Sequence, residues 1–189
     1  MTIIGLGHVA RVGKDVAAAA LCRDLGFRRV GFADKLKELA LAADPLVTSQ
    51  TQTANIGVGR GRLAWVVQGM GWEEAKSVYP EVRSLLQNLG VGARTVFGEN
   101  FWVDQAFAGI KEGTDVVIPD VRFHSEADAI KARGGFLIRI DRPGHRGQGH
   151  VSETALADFD GWDATVTNTG TVQDLETEIV KTVQELVDG

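Results

Sequence analysis

Short apolar runs separated by stretches of helical periodicity recur along this chain, and that alternation constrains its fold more than any other feature. Ile3, Ile4 and Leu6 form the first run, and Val30 with Phe32 a short second one. Val116-Val117-Ile118 form another, Phe136, Ile138 and Ile140 alternate as a strand, and residues 163–167 read as the last. A first helix turns Val16, Ala20 and Leu21 inward and stops at Gly26. The next, after Asp34, carries Leu36, Leu39, Ala40 and Ala43 and ends at Asp44-Pro45. From Pro80, Val82, Leu85, Leu86 and Leu89 make one stripe, with Gly90 as the expected stop. Helices are also expected over Phe101–Lys111 (ended by Gly113), over Ser125–Arg133 with a Ser125/Asp128 cap, and briefly from Ser152. The last runs from Thr171, capped by Thr171 and Asp174, with Val172, Leu175, Ile179 and Val183 inward. Residues 46–62 read as a surface loop. Strands separated by helices imply a mostly parallel sheet covered on both faces, with right-handed crossovers. The expectation is one α/β domain over 1–189, with about five parallel strands and helices on either side.

Composition narrows the function. At 189 residues the chain can bury a substantial core. A net charge of −5, with a pI of about 5.4, argues against a broad basic surface for duplex nucleic acid, so no stable nucleic-acid partner is expected. A local basic pocket for one small polyanion remains open. Cys22 is the sole cysteine, which excludes a disulfide framework and a cysteine-rich zinc site; on its helix it reads as packing. Met1-Thr2-Ile3-Ile4-Gly5 runs directly into a strand, and no apolar run reaches bilayer length. A cytoplasmic protein without membrane contact is expected.

The first strand leads into Gly7-His8-Val9-Ala10-Arg11-Val12-Gly13-Lys14-Asp15 and then a helix. At such a junction backbone N–H groups and the helix N-terminus favour an anion. Gly13 permits close approach to a phosphate, and Lys14 can reach its oxygens as a point charge. The pattern G-x-x-x-x-G-K-[ST] would place Gly at position 8 and Ser or Thr at position 15, where this chain has His8 and Asp15. Gly7 can serve as the first glycine, and Asp15 can hold Mg²⁺. The competing reading is a plain helix start with a solvated lysine.

Several blocks, in order, cover nearly the whole chain: Arg11-Val12-Gly13-Lys14-Asp15, then Phe32-Ala33-Asp34-Lys35-Leu36-Lys37, then Pro80-Glu81-Val82-Arg83-Ser84-Leu85-Leu86-Gln87. They continue with Phe97-Gly98-Glu99-Asn100-Phe101-Trp102-Val103, Val117-Ile118-Pro119-Asp120-Val121-Arg122-Phe123 and His150-Val151-Ser152-Glu153-Thr154. Together they resemble the phage deoxynucleoside monophosphate kinases, a branch of the P-loop nucleoside monophosphate kinases. The Gly-Lys-Asp variant is typical of that family; His8 and Val12 depart from its commoner Gly and Ser. The resemblance implies a P-loop NTPase-type three-layer αβα fold with a helical acceptor-binding insert at about 35–112 and a small lid at about 142–152. It implies ATP and Mg²⁺ as cofactors, a deoxynucleoside monophosphate as acceptor, and a bacteriophage gene acting in host cytoplasm. A homodimer is left open.

Roles follow on that reading. Arg11, Val12, Gly13, Lys14, Asp15 and Val16 cradle the nucleotide, with Lys14, Asp34 and Arg142 as catalytic candidates. Asp34 either orients the acceptor or caps a helix. Arg83 and Gln87, four residues apart, share a ridge opposite the Val82/Leu86 stripe, suited to clamp a phosphate and touch a base edge, or are a solvated face. Arg94 is a second clamp candidate. Asp120, after an apolar strand, and Asp15 are the Mg²⁺ candidates; Asp120 and Arg122 are alternatively a structural pair. Lys35, Trp102, Asp120, Arg122, His150 and Glu153 complete the acceptor set. Arg142 and Arg146, in the stretch that also holds Arg139, His145 and His150, suit a lid closing over triphosphate or a solvated basic loop. His145 and His150 lack a third ligand at convincing spacing for zinc. Trp65, Trp72, Trp102 and Trp162 read as core or rim aromatics. Two rival functions stand beside this one: a P-loop kinase for another acceptor, such as a modified base in DNA or a dephospho-cofactor, and a non-catalytic nucleotide-binding module.

Overall fold

The computed structural model describes residues 1–9, 11–48, 60–144 and 155–189. β1 (Ile3–Gly7), β2 (Arg28–Arg29), β5 (Val116–Val121), β6 (Phe136–Asp141) and β7 (Ala164–Thr167) form the main sheet. Their spatial order is β2-β5-β1-β6-β7, and every neighbouring pair is parallel. The inner strands β1, β5 and β6 are short and largely apolar because both faces are covered, whereas the edge strand β2 is the exposed pair Arg28–Arg29. On one face α1 (Lys14–Leu25) and α7 (Val172–Asp188) set Ala17, Leu21, Leu175, Ile179 and Val183 against Ile4, Leu6, Ile138 and Val166. On the other, Ala127 and Ile130 of α6 (His124–Lys131) meet Ile3, Val116, Ile118 and Leu137. The architecture is three-layer αβα.

Local chemistry fixes the element ends. Gly26 closes α1 at φ 74°, a left-handed cap that glycine adopts without Cβ strain. Thr171 and Asp174 form a reciprocal capping box on α7, with Asp174 accepting the Thr171 N–H at 2.7 Å. Between Gly5↔Ile118 and Gly7↔Val121, β5 carries one extra residue; Pro119, with no N–H to give, lies in this bulge.

The chain divides into two compact units, Met1–Phe32 with Val103–Gly189, and Ala33–Trp102. The second unit holds most of α2 (Phe32–Ala43), the antiparallel ribbon of β3 (Leu46–Thr48) and β4 (Arg60–Arg62), α3 (Leu63–Val78) and α4 (Pro80–Phe97). Its core gathers Ala40, Val47, Leu63, Val66, Ala75, Tyr79 and Val82. α5 (Phe101–Ala108) follows, turning Val103 and Ala106 into the first unit's core.

Several element boundaries differ from expectation, each for a visible reason. Val30 still donates to Val117 O at 3.0 Å, but Phe32 opens α2 instead of closing a strand, its N–H held by Asp120 Oδ1 at 3.0 Å. Asp34 therefore lies in the first turn of a helix. Residues 46–62 are not loop at their ends, which pair as β3 and β4; 49–59 lie outside the described residues. α3, which the pattern left unassigned, is interrupted at Gly71 (φ 76°, ψ 168°), so no single periodic stripe runs through it. Gly90 does not stop α4, which continues to Phe97 and ends at Gly98 (φ 105°). Tertiary packing outweighs glycine's poor propensity there: Leu36 lies beside Gly90, and Trp102 Nε1 donates to its carbonyl at 3.0 Å. α6 begins before Ser125: buried Glu126 turns back to accept the N–H of Arg122 (2.7 Å) and Phe123 (3.1 Å). Val172 is exposed, since the buried stripe of α7 starts at Leu175. Trp65 is also exposed, at 70%, unlike the buried Trp102. The short helix expected from Ser152 begins outside the described residues.

Candidate active site

β1 sits mid-sheet, and its C-terminal end delivers the chain into the loop between Gly7 and α1. The loop winds tightly because His8 (φ 100°), Arg11 (φ 62°) and Gly13 (φ 108°) all have positive φ. Alternation between left- and right-handed backbone is how amides are turned inward into an anion nest. Gly13 serves twice. It adopts a φ that disfavours side chains, and a Cβ on it would lie 2.6 Å from Leu175 Cδ2 and 3.0 Å from Asn168 Nδ2. Gly7 has a different task from the one expected of it. A Cβ there would lie 2.3 Å from Trp162 Cη2, so its missing side chain is the space Trp162 occupies, while His8 takes the unusual backbone conformation.

Lys14, the first residue of α1, is only 8% exposed. Its Nζ donates to His8 O at 2.9 Å and to Val9 O. The loop is thus wrapped around the ammonium, which lies inside it and not in solvent. Val12 is fully buried in the core shared by α1 and α7, which roots the loop. Val16 also packs there, so its contribution to a ligand is limited to its backbone.

Two strand ends grip this loop. Asn168, just past β7, donates from Nδ2 to Val12 O at 2.9 Å, and its own N–H reaches Asp141 O at 2.7 Å. Asp141 closes β6, and its Oδ1 lies 2.8 Å from His8 Nδ1 and accepts Arg139 Nε–H at 2.9 Å. Burial, then the Arg139 and Lys14 charges, push the His8 titration below its ordinary value, with Asp141 opposing them. His8 therefore faces Asp141 as a neutral imidazole at neutral pH. Asn168 and Asp141 were absent from the sequence-derived set; an Asn or Asp at a strand's C-terminal end was the one available signal.

The other candidates divide between the units. In the first, Asp15 is exposed in the first turn of α1, with Arg29 at 3.8 Å. Asp120 sits in the bulge of β5 beside the end of β1, its Oδ1 engaged by Phe32. Arg122 is exposed after β5, and Arg142 is exposed directly after β6. Arg146, His150, Glu153 and the lid from 145 onwards lie outside the described residues. In the second unit Arg83 and Gln87 are exposed on one ridge of α4, away from the buried Val82, with Arg94 half-buried further along. Lys35 pairs with Glu38 at 2.6 Å. Trp102 is 4% exposed with its N–H spent on Gly90, so its role is in the frame of this unit rather than on a ligand. Among the described residues no group of three His, Cys, Asp or Glu gathers to make an all-protein metal cage. No helix among them is long and apolar enough to cross a membrane.

A family model described as deoxynucleotide monophosphate kinase matches residues 68–179. A protein of Acanthamoeba polyphaga mimivirus carrying the same family name is 31% identical over 97% of this chain and 96% of its own length. The chain belongs to the deoxynucleotide monophosphate kinase family. That membership makes it a phosphotransferase of nucleotide metabolism. The deoxynucleotide monophosphate kinase of Enterobacteria phage T4 is 34% identical over 56% of this chain and 46% of its own length. Two solved structures align over almost all of both chains at low identity. A dephospho-CoA kinase from Campylobacter jejuni gives 18% identity and a TM-score of 0.45, covering 97% of this chain and 96% of its own. A shikimate kinase from Aquifex aeolicus gives 12% and 0.48, covering 100% and 99%.

Proposed function

We propose that this deoxynucleotide monophosphate kinase family member moves the γ-phosphate of ATP onto a deoxynucleoside monophosphate, yielding ADP and the deoxynucleoside diphosphate. The observation that carries the reading is the loop wound around Lys14 at the end of the central strand. In the reaction an oxygen of the acceptor's phosphate attacks the γ-phosphorus, and the bond from that phosphorus to the β–γ bridging oxygen breaks. Little covalent chemistry is asked of the protein, so catalysis rests on positioning and on neutralising spread charge. Lys14 exchanges its loop carbonyls for β- and γ-oxygens, and the loop amides from Arg11 to Val16 hold the rest. Magnesium fits the residues present. Asp15 and Asp120 offer hard carboxylate oxygens, and Mg²⁺ is held by one or two carboxylates plus substrate phosphates, not by a protein cage. Held there, it would supply positive charge to offset that of the triphosphate.

The second unit supplies the acceptor site on this reading, corresponding to the insert expected at about 35–112. Arg83 and Arg94 hold the acceptor's phosphate, Gln87 meets the base edge, and Asp34 and Lys35 orient the nucleotide from the start of α2. Arg122, His150 and Glu153 complete the site, while Arg142 and Arg146 belong to a lid at about 142–152. The test is ADP release across a panel of nucleoside and deoxynucleoside monophosphates, with wild type and Lys14→Met. Methionine keeps the stem and removes the ammonium, so kcat should fall by roughly 10²–10³. Wild-type turnover in the variant, or no turnover of any monophosphate by the native chain, would overturn the assignment.

A further inference from the structure

Three helices of the second unit each bring a cation to one place. Ala40 of α2, Ala75 of α3 and Val82 of α4 are fully buried in the same core, and the two alanines let the helices approach closely. Lys37 lies one turn before Ala40 on the same face of α2, Lys76 directly follows Ala75, and Arg83 directly follows Val82. The three cations therefore stand at the rim of that core. A carboxylate lies among them. Glu73, a turn before Lys76 on α3, accepts a hydrogen bond from its ammonium at 2.5 Å. That bond holds the Glu73 carboxyl below its ordinary value, and the charges of Lys37 and Arg83 act on it in the same direction. The members of the pair are placed differently: the Lys76 side chain is 20% exposed and that of Glu73 88%. The lysine is built into the unit, whereas the carboxylate can turn out to solvent without disturbing the packing. A helical pair made for stability needs one lysine. Three cations drawn to one point repel each other, which suits an arrangement that awaits more negative charge.

We infer that Lys37 and Lys76 join Arg83 in holding the phosphate of the acceptor, and that Glu73 is a stand-in for that phosphate, displaced to solvent as it binds. The inference rests on the reading of the second unit as the acceptor site. Charge supports the match. The three cations less the one carboxylate leave an excess of two positive charges, and a phosphate monoester carries about −1.5 to −2 at neutral pH. A nucleoside without its phosphate offers nothing to this cluster. The lysines act as flexible point charges beside the planar Arg83 fork, so the three can close on one phosphate from three helices. Glu73 keeps Lys76 oriented and lowers the mutual repulsion of the cations, at the expense of competing with the ligand. Its loss should therefore tighten acceptor binding, while loss of either lysine should weaken it.

The test measures KM for ATP, KM for the acceptor and kcat for the full chain bearing Lys37→Met, Lys76→Met, Lys76→Arg and Glu73→Gln, with melting curves alongside. The acceptor is whichever deoxynucleoside monophosphate the native chain turns over fastest. Methionine keeps most of each lysine's apolar stem, so folding should survive. Lys37→Met and Lys76→Met should each raise KM for the monophosphate about tenfold, the loss of a charge-assisted contact, and leave KM for ATP nearly fixed. Lys76→Arg should recover most of that loss. Glu73→Gln should move KM for the monophosphate the other way, lowering it about two- to fivefold, since an exposed ion pair competes only weakly. An unchanged acceptor KM in either lysine variant, a raised one in Glu73→Gln, or equal changes in KM for ATP would each overturn the inference. A merely structural Glu73–Lys76 pair would show itself as lowered melting temperatures with both KM values unmoved. Should a lysine variant fail to fold, the sign of the Glu73→Gln change decides. If the native chain turns over no monophosphate at all, the acceptor reading itself falls; native turnover with indifferent variants sinks the phosphate cluster alone.

Discussion

Replacing Gly13 by alanine adds one methyl group at the most constrained point of the phosphate loop. The backbone there has φ 108°, and holding an L residue in left-handed backbone costs about 1–2 kcal/mol. The new Cβ would also lie 2.6 Å from Leu175 Cδ2, on the buried stripe of α7, and 3.0 Å from Asn168 Nδ2. Leu175 must turn away within a packed core, an overpacking cost of about 1–3 kcal/mol. The two together destabilise by roughly 2–5 kcal/mol, a fall in Tm of roughly 4–20 °C for a chain of this size. Asn168 is displaced as well, and with it the hydrogen bond that holds Val12 O at 2.9 Å. Gly13→Ala should therefore lower the melting temperature and raise KM for ATP together, while KM for the monophosphate moves less. Differential scanning calorimetry and initial rates at varied ATP read both. A wild-type melting curve with a wild-type KM for ATP would refute both the strain argument and the placing of Leu175 and Asn168 against the loop.

Two further outcomes follow from residues far from the loop. Arg83→Ala should raise KM for the monophosphate tenfold or more, the loss of a charge-assisted bond of about 1.5–3 kcal/mol, leaving KM for ATP nearly fixed, and Gln87→Ala should reorder the accepted bases. Equal effects on both substrates would show that this ridge of α4 is no acceptor clamp. Glu126→Ala should destabilise by about 1–3 kcal/mol in urea unfolding, because two N–H groups at the start of α6 lose their acceptor, with kcat unchanged; an unmoved midpoint would contradict that role.

What the sequence discloses depends on how local the cause is. Lys14, Gly13 and the strand before them are legible because their chemistry is written in adjacent residues, and the Thr171/Asp174 cap for the same reason. The middle of the sheet is legible because β1, β5 and β6 are apolar runs, whereas the edge strand β2 is Arg28–Arg29 and carries no such signal. Asp141 and Asn168 are not, since what makes them matter is a loop more than a hundred residues earlier that only the fold brings to them. The cap of α6 was misread by two residues because Ser125 and Asp128 imitate a capping pair while Glu126, nearer the turn, takes the amides. Gly90 misled in the opposite way: its propensity says stop, and only its neighbours say why the helix continues.

Those neighbours have a consequence for the order in which the molecule assembles. Leu36 and Trp102, near the two ends of the second unit, both lie against Gly90. The first unit is interrupted in sequence, and β2 must find β5 across the whole of 33–102. Once the helices of the second unit have packed, its ends are already joined at Gly90. The connection that β2 and β5 must close is then shorter by about a factor of four, which removes roughly 1 kcal/mol of loop-closure entropy. A single backbone carbonyl in the middle of a helix thereby makes the inserted segment a short bridge for the sheet, and favours a route in which the insertion folds before the domain it interrupts.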